Sequence, residues 1–455
     1  MKKNDGQLMY NWARHLFPIT RSVSSPGNKE TLDFLKKKIK NLNIKSFKSG
    51  KKIYGWKIPK QWHIDEAYIL ENKKKIIDFK NNNLHVLNYS KSIKKKINYQ
   101  KLSKNIFFLK NQPNAIPYIT SYYSKNWGFC MTYNQFKLLK KDSEFFVKIK
   151  SKFKSANMYY GEIFIKGKSK KEILLSTNIC HPSMGNNETS GIVVTARLCQ
   201  WISNLKNRNY SYRIIFIPET IGSIAYINKN LTALKKNVVA GYVVVCVGVD
   251  CMPSFLPSKH GNTLSDKAAL FSLKKNSKKF KKFSFLDRGS DERQFCSEKV
   301  NLPICSIMSK KYGDYKEYHT SLDNMDYISA KGLEKSYKII KGAIQAIENQ
   351  KIIFDTYTVK GELKNFEKNK KISKKNVYKN IYKYPCEPKL SNYGLRKPIS
   401  FKTNYNYDKL VLNILMLSNG KNNLNEISKK LHQNKNQVKK ISQLLEKKKL
   451  LRCIN

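Results

Sequence analysis

Residues 172–191 read EILLSTNICHPSMGNNETSG, and this stretch decides which fold the chain can adopt. The apolar run before Cys180 is typical of a buried strand, and the residues from Ser190 onward follow a helical pattern. The polar loop between them carries His181. Open α/β sheets bind ligands at the ends of such strands, so His181 is a candidate metal ligand. The alternative is a single loop or core histidine that is hydrogen-bonded to the backbone.

Strand and helix patterns continue to alternate on both sides of this stretch, from about residue 145 to residue 350. The strand candidates are EILLSTNIC, YRIIFIPE, VVAGYVVVCVG and LPICSIM, and the helix candidates include SGIVVTARLCQWISNL and GLEKSYKIIKGAIQAIENQ. This alternation predicts an α/β fold with a mostly parallel central sheet flanked by helices. An amphipathic helix that contains Leu32, Leu35 and Ile39 is expected to open the structure.

The rest of the chain predicts three further segments. Short runs rich in Tyr, Ile and Val, broken by Gly, Pro and Asn, indicate a small β domain inserted at 45–130. A connector rich in Lys, Asn and Tyr covers 356–403. Helical patterns and a terminal strand over 404–455 indicate a winged helix, which either binds nucleic acid or serves as a docking module. The α/β core is then left with 1–44 and 131–355.

Composition limits the classes of partner and compartment. The 455 residues carry a formal net charge of +56, but the lysines are spread along the whole chain. A nucleic-acid footprint should be clustered, so nucleic acid is not the expected partner. Nine scattered cysteines without a CxxC pair, and a first segment without a continuous apolar run, indicate a reduced, cytoplasmic compartment. The apolar stretch at 238–249 is too short to cross a membrane.

Other polar residues follow the remaining strand candidates. Glu219 is a candidate metal ligand or general base, although an acid here also suits the dipole of a following helix. Asp250 ends the strand GYVVVCVGVD and is either a hard metal ligand or a turn residue. His319, in YHTSLDN, is a second candidate metal ligand. Asp291 and Glu292, in RGSDERQ, are further carboxylates or members of a surface ion pair.

The order of these segments resembles that of the zinc-dependent aminopeptidase superfamily, which includes bacterial leucyl aminopeptidases and glutamate carboxypeptidases. The resemblance implies a phosphorylase/hydrolase-like α/β core with metal ligands at its strand ends. The matching positions in this chain are His181, Asn187, Glu219, Asp250 and His319. In the superfamily, the ligand set holds two zinc ions.

A more extended set of motifs is similar to the bacterial aminopeptidase-like proteins that are associated with polysaccharide biosynthesis. The set consists of LFPITRS, SYYSKNWGFC, CHPSMGNNETSG, PETIGSIAY, SDERQFCS, YHTSLDN and CEPKL, followed by the winged helix. This resemblance covers almost the whole chain. It implies a peptidase-like core, an inserted β domain and a C-terminal winged helix.

The candidate site departs from the superfamily pattern at three points. Asn187 stands where a metal-bridging Asp is expected, and a neutral amide cannot bridge two cations as an ionised carboxylate does. No acid lies two residues after His181 to orient its imidazole. The superfamily's pair of glutamates is reduced to Glu219 and Thr220. These departures favour one zinc ion over two.

The single zinc ion would be held by His181, His319 and a carboxylate, for which Asp291 and Glu292 are also available. Glu219 would act as the general base of metal-assisted hydrolysis. Three functions remain open: a hydrolase for a small peptide-like or amide-containing substrate, linked to polysaccharide biosynthesis; a pseudoenzyme that keeps the pocket for binding; and a winged-helix regulator that binds nucleic acid. Assembly into a homo-oligomer is also open.

Overall fold

The computed structural model describes residues 4–124, 126–349, 376–396 and 405–454. Strands and helices are numbered in chain order. Eight strands form the central sheet: β1 (Asn43–Lys48), β10 (Asn157–Ile165), β11 (Glu172–Asn178), β12 (Ser211–Ile217), β13 (Val238–Val243), β14 (Ser254–Leu256), β15 (Lys281–Lys282) and β16 (Ile304–Met308).

The middle of this sheet is parallel. β11 pairs in parallel with β12 and β13, and β13 pairs in parallel with β16. At the margins the pairs β1–β10, β10–β12 and β14–β16 are antiparallel. The sheet is therefore mixed, and its parallel centre brings the carboxyl ends of β11, β12, β13 and β16 to one edge. Open α/β sheets bind their ligands at this edge.

Helices flank the sheet, as the alternating pattern predicted. The core contains α1 (Asp5–Leu16), α2 (Pro26–Lys38), α5 (Ser190–Ser203), α6 (Ile221–Asn237), α7 (Leu264–Asn276), α8 (Glu292–Phe295) and α9 (Ala330–Glu348). One apolar cluster joins one face of the sheet to α1, α2, α5, α7 and α9, and a second joins the opposite face to α6 and the inserted domain.

Each central strand buries side chains on both faces. In β11, Leu174 packs on the side of α6, while Ile173 and Leu175 pack on the side of α5 and α9. In β12, Ile215 and Phe216 divide between the two faces in the same way. Successive strand residues point to opposite faces, so a strand covered on both sides needs a continuous apolar run. This is why the run before Cys180 indicated a buried strand.

The inserted domain contains β2 (Lys52–Ile53), β3 (Trp56–Lys57), β4 (Gln61–Glu71), β5 (Lys74–Asp78), β6 (Ile93–Asn98), β7 (Ile106–Phe107), β8 (Phe129–Cys130), β9 (Glu144–Lys154), α3 (Tyr99–Ser103) and α4 (Tyr133–Lys137). Four of its strands form an antiparallel sheet in the order β5–β4–β9–β6. The limits differ from the predicted 45–130, because β1 pairs within the central sheet and β9 belongs to the small one. Long-range pairing, which local pattern does not specify, assigns such strands to a sheet.

The C-terminal unit is a winged helix, as predicted. It contains α10 (Tyr405–Leu417), α11 (Leu424–Leu431) and α12 (Lys435–Lys447), with a sheet of β17 (Val377–Asn380), β18 (Asn419–Asn423) and β19 (Leu451–Cys453). The unit includes part of the predicted connector, because β17 pairs with both β18 and β19. Connector residues 356–375 and 397–403 lie outside the described residues. None of the described helices is long and apolar enough to span a membrane.

Candidate active site

The candidate site lies at the carboxyl ends of the parallel strands. His181 follows β11, Glu219 follows β12, and His319 lies in the loop after β16. The ring centroids of His181 and His319 are 5.3 Å apart. Nε2 of His181 lies 3.8 Å from Oε2 of Glu219. The structure thus brings together the two predicted histidines and the predicted base, and all three line one pocket.

Glu188 orients the imidazole of His181. Its Oε2 lies 2.9 Å from Nδ1 of His181, and its Oε1 accepts hydrogen bonds from the backbone N–H groups of Cys180 and His181. Sequence reasoning missed this residue, because it looked for an orienting acid two residues after the histidine. The turn Gly185–Thr189 instead carries Glu188 back over the loop, fully buried.

Cys180, His181 and Glu188 offer ligand atoms within 4.8 Å of one another. This group is better explained as the support of the site than as a metal site. Both carboxylate oxygens of Glu188 already accept hydrogen bonds from the loop, and Sγ of Cys180 accepts one from the backbone N–H of Glu219 at 3.2 Å. Burial raises the pKa of the Cys180 thiol to about 12, so the thiolate that binds metals is disfavoured.

Arg21 supports the same loop from the N-terminal segment. This fully buried side chain donates from Nε to the backbone carbonyl of His181 at 3.0 Å and from Nη1 to that of Leu16 at 2.6 Å. The second contact ties the end of α1 to the site. The motif LFPITRS therefore has a structural role that the sequence alone did not reveal.

The turn after His181 is tied to the loop of His319 by one carboxylate. Asp323 accepts hydrogen bonds from the backbone N–H groups of Asn186 at 2.5 Å and Asn187 at 3.0 Å. The side chain of Asn187 is buried, and its Oδ1 has no hydrogen-bond partner among the described residues. A buried acceptor without a partner costs free energy, so this oxygen suits an electrophilic ligand.

Glu219 is held by the loop before α8. Oγ of Ser290 donates to its Oε1 at 2.9 Å. Burial raises the pKa of Glu219. The neighbouring Asp291 accepts hydrogen bonds from the backbone N–H of Thr220 and from Oγ of Ser223, both at 2.8 Å. Burial, and then repulsion by Glu219, raise the pKa of Asp291 to about 8. The two carboxylates are close enough to repel each other, with Asp291 fully buried and Glu219 facing the pocket.

Two other carboxylates that the sequence offered as metal ligands, Glu292 and Asp250, contact other groups of the protein. Oε1 of Glu292 accepts hydrogen bonds from the backbone N–H groups of Gly289 and Ser290, which shapes the loop that carries Ser290. The carboxylate of Asp250 lies on the surface, 2.7 Å from Nζ of Lys331 on α9. Asp250 does not line the pocket that holds His181. The chain turns toward α9 after β13, so the structure does not bring Asp250 to the other candidate ligands.

The inserted domain supplies a wall of the site. The ring centroid of Tyr118 lies 5.3 Å from those of both His181 and His319. The backbone N–H of Tyr118 donates to the carbonyl of His319 at 2.9 Å, and the hydroxyl of Tyr118 pairs with that of Tyr122 at 2.9 Å. Sequence reasoning missed Tyr118, because no local pattern links it to the histidine loops.

Three residues of the site have a positive φ angle although they carry side chains. The φ angles are 46° at Ser183, 63° at Thr220 and 56° at His319. Non-glycine residues in this region cost on the order of 1–3 kcal/mol each and persist where the surrounding structure imposes them. These three residues lie beside the histidines and Glu219, so strained backbone lies at the pocket.

The pocket has a volume of 520 Å³ and is closed in part by the C-terminal unit. Its lining includes residues of the described connector and of α10, among them Glu387, Lys389 and Leu412. Arg288 of the core donates from Nη2 to Oε1 of Glu387 at 2.9 Å and from Nη1 to Oδ1 of Asn413. The winged helix is thus docked on the core beside the histidine site.

The donors at this site fit one zinc ion. Zinc takes imidazole nitrogens and carboxylate oxygens, and a zinc-bound imidazole usually donates its other nitrogen to a carboxylate. His181 meets this second condition through Glu188, which leaves its Nε2 on the side of Glu219. With His319 at ring-contact distance and the unpartnered oxygen of Asn187 in the adjoining turn, the set suits one cation better than a bridged pair.

The α/β core with its inserted domain and the C-terminal unit each match a known protein family. A family model described as a domain of unknown function, DUF4910, matches residues 10–350, and a winged helix-turn-helix model, HTH_47, matches residues 376–453. A protein of Clostridium acetobutylicum, named provisionally as a polysaccharide biosynthesis protein with an aminopeptidase-like domain, is 36% identical over 451 residues. That similarity covers 99% of this chain and 97% of the relative.

Solved structures share the fold. The crystal structure of a candidate peptidase from Clostridium acetobutylicum has a TM-score of 0.73 at 35% identity and covers 99% of this chain and 96% of that chain. The zinc aminopeptidase BSAP from Bacillus subtilis has a TM-score of 0.55 at 12% identity and covers 78% of this chain and 97% of that one. The second likeness shows the fold alone. The chain belongs to the DUF4910 family, as an aminopeptidase-like protein of the polysaccharide-biosynthesis-associated type with a C-terminal winged helix.

Proposed function

We propose that this protein is a zinc-dependent hydrolase that cleaves an amide bond. One observation carries the proposal: Glu188 orients His181 so that Nε2 lies 3.8 Å from the carboxylate of Glu219, with His319 beside them. Two imidazoles that can hold zinc, with a carboxylate beside them as general base, are the parts that metal-assisted hydrolysis requires. When bound, zinc supplies a Lewis acid that lowers the pKa of a coordinated water to about 7 and polarises a carbonyl.

The residues around this set have separate tasks. His181 and His319 hold the metal, and Glu219 accepts a proton from the attacking water and returns it to the leaving amine. Burial raises the pKa of Glu219, which brings its proton affinity closer to that needed near neutral pH. Ser290 holds one oxygen of Glu219 at 2.9 Å, so that the other remains available on the side of His181.

The names of the relatives and the size of the pocket support a small amide as substrate. The Clostridium acetobutylicum relative is named for polysaccharide biosynthesis, and its domain is called aminopeptidase-like. A pocket of 520 Å³ accommodates a small molecule and lies within the usual range for such sites. We infer a small amide, such as a modified sugar or a peptide-linked glycan intermediate.

The test is a metal analysis combined with an activity assay. Protein purified without chelator should carry about one zinc ion per chain and hydrolyse at least one member of a panel of chromogenic aminoacyl anilides and amino-sugar amides. His181→Ala and His319→Ala should each lose the metal. His260→Ala is the matched control, because His260 contacts Asn301 and does not line the pocket. Full zinc content in both pocket variants would refute the proposal.

Asn187 favours a second candidate function, a pseudoenzyme that binds its ligand without cleaving it. An amide in place of a bridging carboxylate weakens metal binding, and its Oδ1 lacks a partner among the described residues. The same experiment separates the two functions. Zinc binding with hydrolysis supports the enzyme, whereas a pocket that binds small amides without zinc and without turnover supports the pseudoenzyme.

A further inference from the structure

Lys389, in the described part of the connector, places an ammonium group in the pocket. Its Nζ lies 3.1 Å from the ring centroid of Tyr123, which comes from the inserted domain. The hydroxyl of Tyr123 donates to the backbone carbonyl of Lys57 at 2.9 Å, which holds the ring in position. A cation on the face of a tyrosine is attracted by the ring quadrupole, and this attraction fixes the position of Nζ.

The ammonium of Lys389 stands apart from the carboxylates of the described residues. Among the residues that the structure describes, no carboxylate forms an ion pair with Lys389. Other cations of the pocket do have acid partners: Arg288 lies 2.9 Å from Glu387, and Arg396 lies 3.0 Å from Asp408. Burial lowers the pKa of Lys389 to about 8, and no carboxylate in the described part of the chain opposes this effect. A partly desolvated ammonium of this kind is stabilised when an anion binds beside it.

A short chain of contacts joins Lys389 to the histidines. The ring of Tyr118 contacts both His181 and His319, its hydroxyl pairs with that of Tyr122, and Tyr123 is the next residue. Lys389 and the two histidines therefore line the same pocket along one tyrosine-rich wall. A ligand of modest length can reach both ends.

We propose that the substrate carries an anionic group, a carboxylate or a phosphate, away from the scissile amide, and that Lys389 binds this group. The proposal rests on the proposed amide hydrolysis for the orientation of the substrate. The anion would displace water from the ammonium and form a charge-assisted hydrogen bond, which contributes more than a neutral one.

The experiment compares probes that differ only in the charge of one end. Leucyl-glycine, leucyl-aminomethylphosphonate and leucylglycinamide would be titrated by calorimetry into the full-length Glu219→Gln variant, which prevents turnover. The carboxylate probe, the phosphonate probe or both should bind about tenfold more tightly than the neutral amide, as expected for one hydrogen bond to a charged group. The tighter of the two anionic probes identifies the source of the anion.

Lys389→Met, added to Glu219→Gln, should abolish this preference while leucylglycinamide binds as before. Lys383→Met is the matched control, because Nζ of Lys383 lies 5.0 Å from the ring centroid of Tyr384 and outside the pocket. Equal binding of all three probes, binding of none, or a preference that survives Lys389→Met would overturn the proposal. The readout needs neither zinc nor hydrolysis, so failure of the proposed function is distinguished by the metal and activity assays.

Discussion

Oε2 of Glu188 lies 2.9 Å from Nδ1 of His181, while Oε1 of the same carboxylate accepts hydrogen bonds from the loop backbone. A carboxylate next to Nδ1 requires that nitrogen to carry the proton. In the neutral imidazole, Nε2 is then the nitrogen with a free lone pair, and it is the one on the side of Glu219. A residue of the turn thus selects the imidazole tautomer that can bind a metal.

Replacement of Glu188 by Gln should weaken zinc binding by about 10–100-fold, the usual effect of losing an orienting partner. The Gln amide can turn its N–H₂ toward Nδ1 and thereby favour the tautomer whose Nε2 is protonated. Zinc affinity would be measured by competition with a chelator. Glu348→Gln is the control, because Glu348 accepts hydrogen bonds from Asn209 and Tyr212 away from the pocket. Equal losses in both variants would contradict this role.

Asn187→Asp should increase zinc affinity about tenfold, equivalent to about 1.4 kcal/mol, since it adds a charged oxygen ligand. In metal-free protein the same change should lower the melting temperature, because a buried charge without a partner is costly. Zinc should restore the loss. Thermal unfolding without and with zinc measures the expected fall in melting temperature and its recovery. Asn230→Asp on α6 is the control. If zinc does not raise the melting temperature of the variant above that of its metal-free form, this carbonyl position is not a ligand.

Arg288→Ala should destabilise the docking of the C-terminal unit by about 3–5 kcal/mol, because it leaves Glu387 partly buried without its strongest partner. The free energy of unfolding in urea measures the cost, and limited proteolysis should show earlier cleavage within residues 376–454. Lys281→Ala breaks an exposed pair with Asp314 and should cost less than about 1 kcal/mol. Similar costs for the two variants would show that Arg288 does not hold the unit in place.

Gly191→Ala should displace α5 and the turn before it. A Cβ at this position would lie 2.4 Å from the carbonyl oxygen of Val244 and 2.7 Å from Oγ1 of Thr177. The nearest of these atoms belongs to the backbone, which cannot move aside easily. We therefore expect the free energy of unfolding to fall by about 1–3 kcal/mol and zinc binding to weaken. Gly161→Ala is the control, since its nearest atom is a methyl group of Leu32 that can move. Both effects are measurable by urea unfolding and zinc titration.

Local pattern revealed the architecture and the position of two site residues. The strand β11 is buried on both faces, and such a strand can be recognised in the sequence as a run of consecutive apolar residues. His181 and Glu219 follow such runs directly, so their place at the sheet edge could be predicted. The predicted insert limits of 45–130 did not match the pairing of β1 and β9, because neighbouring strands are chosen by contacts between distant segments.

The chain order of strands, helices and polar loops was enough to predict an α/β core and a C-terminal winged helix, and the resemblance of its motifs to a known family implied that the core is aminopeptidase-like. It could not show that Glu188 folds back onto His181, that Tyr118 reaches both histidines, or that Asp250 faces Lys331 instead of the pocket. The reason is physical: burial leaves a periodic trace in sequence, whereas the direction of a side chain at the end of a strand depends on what packs beside it.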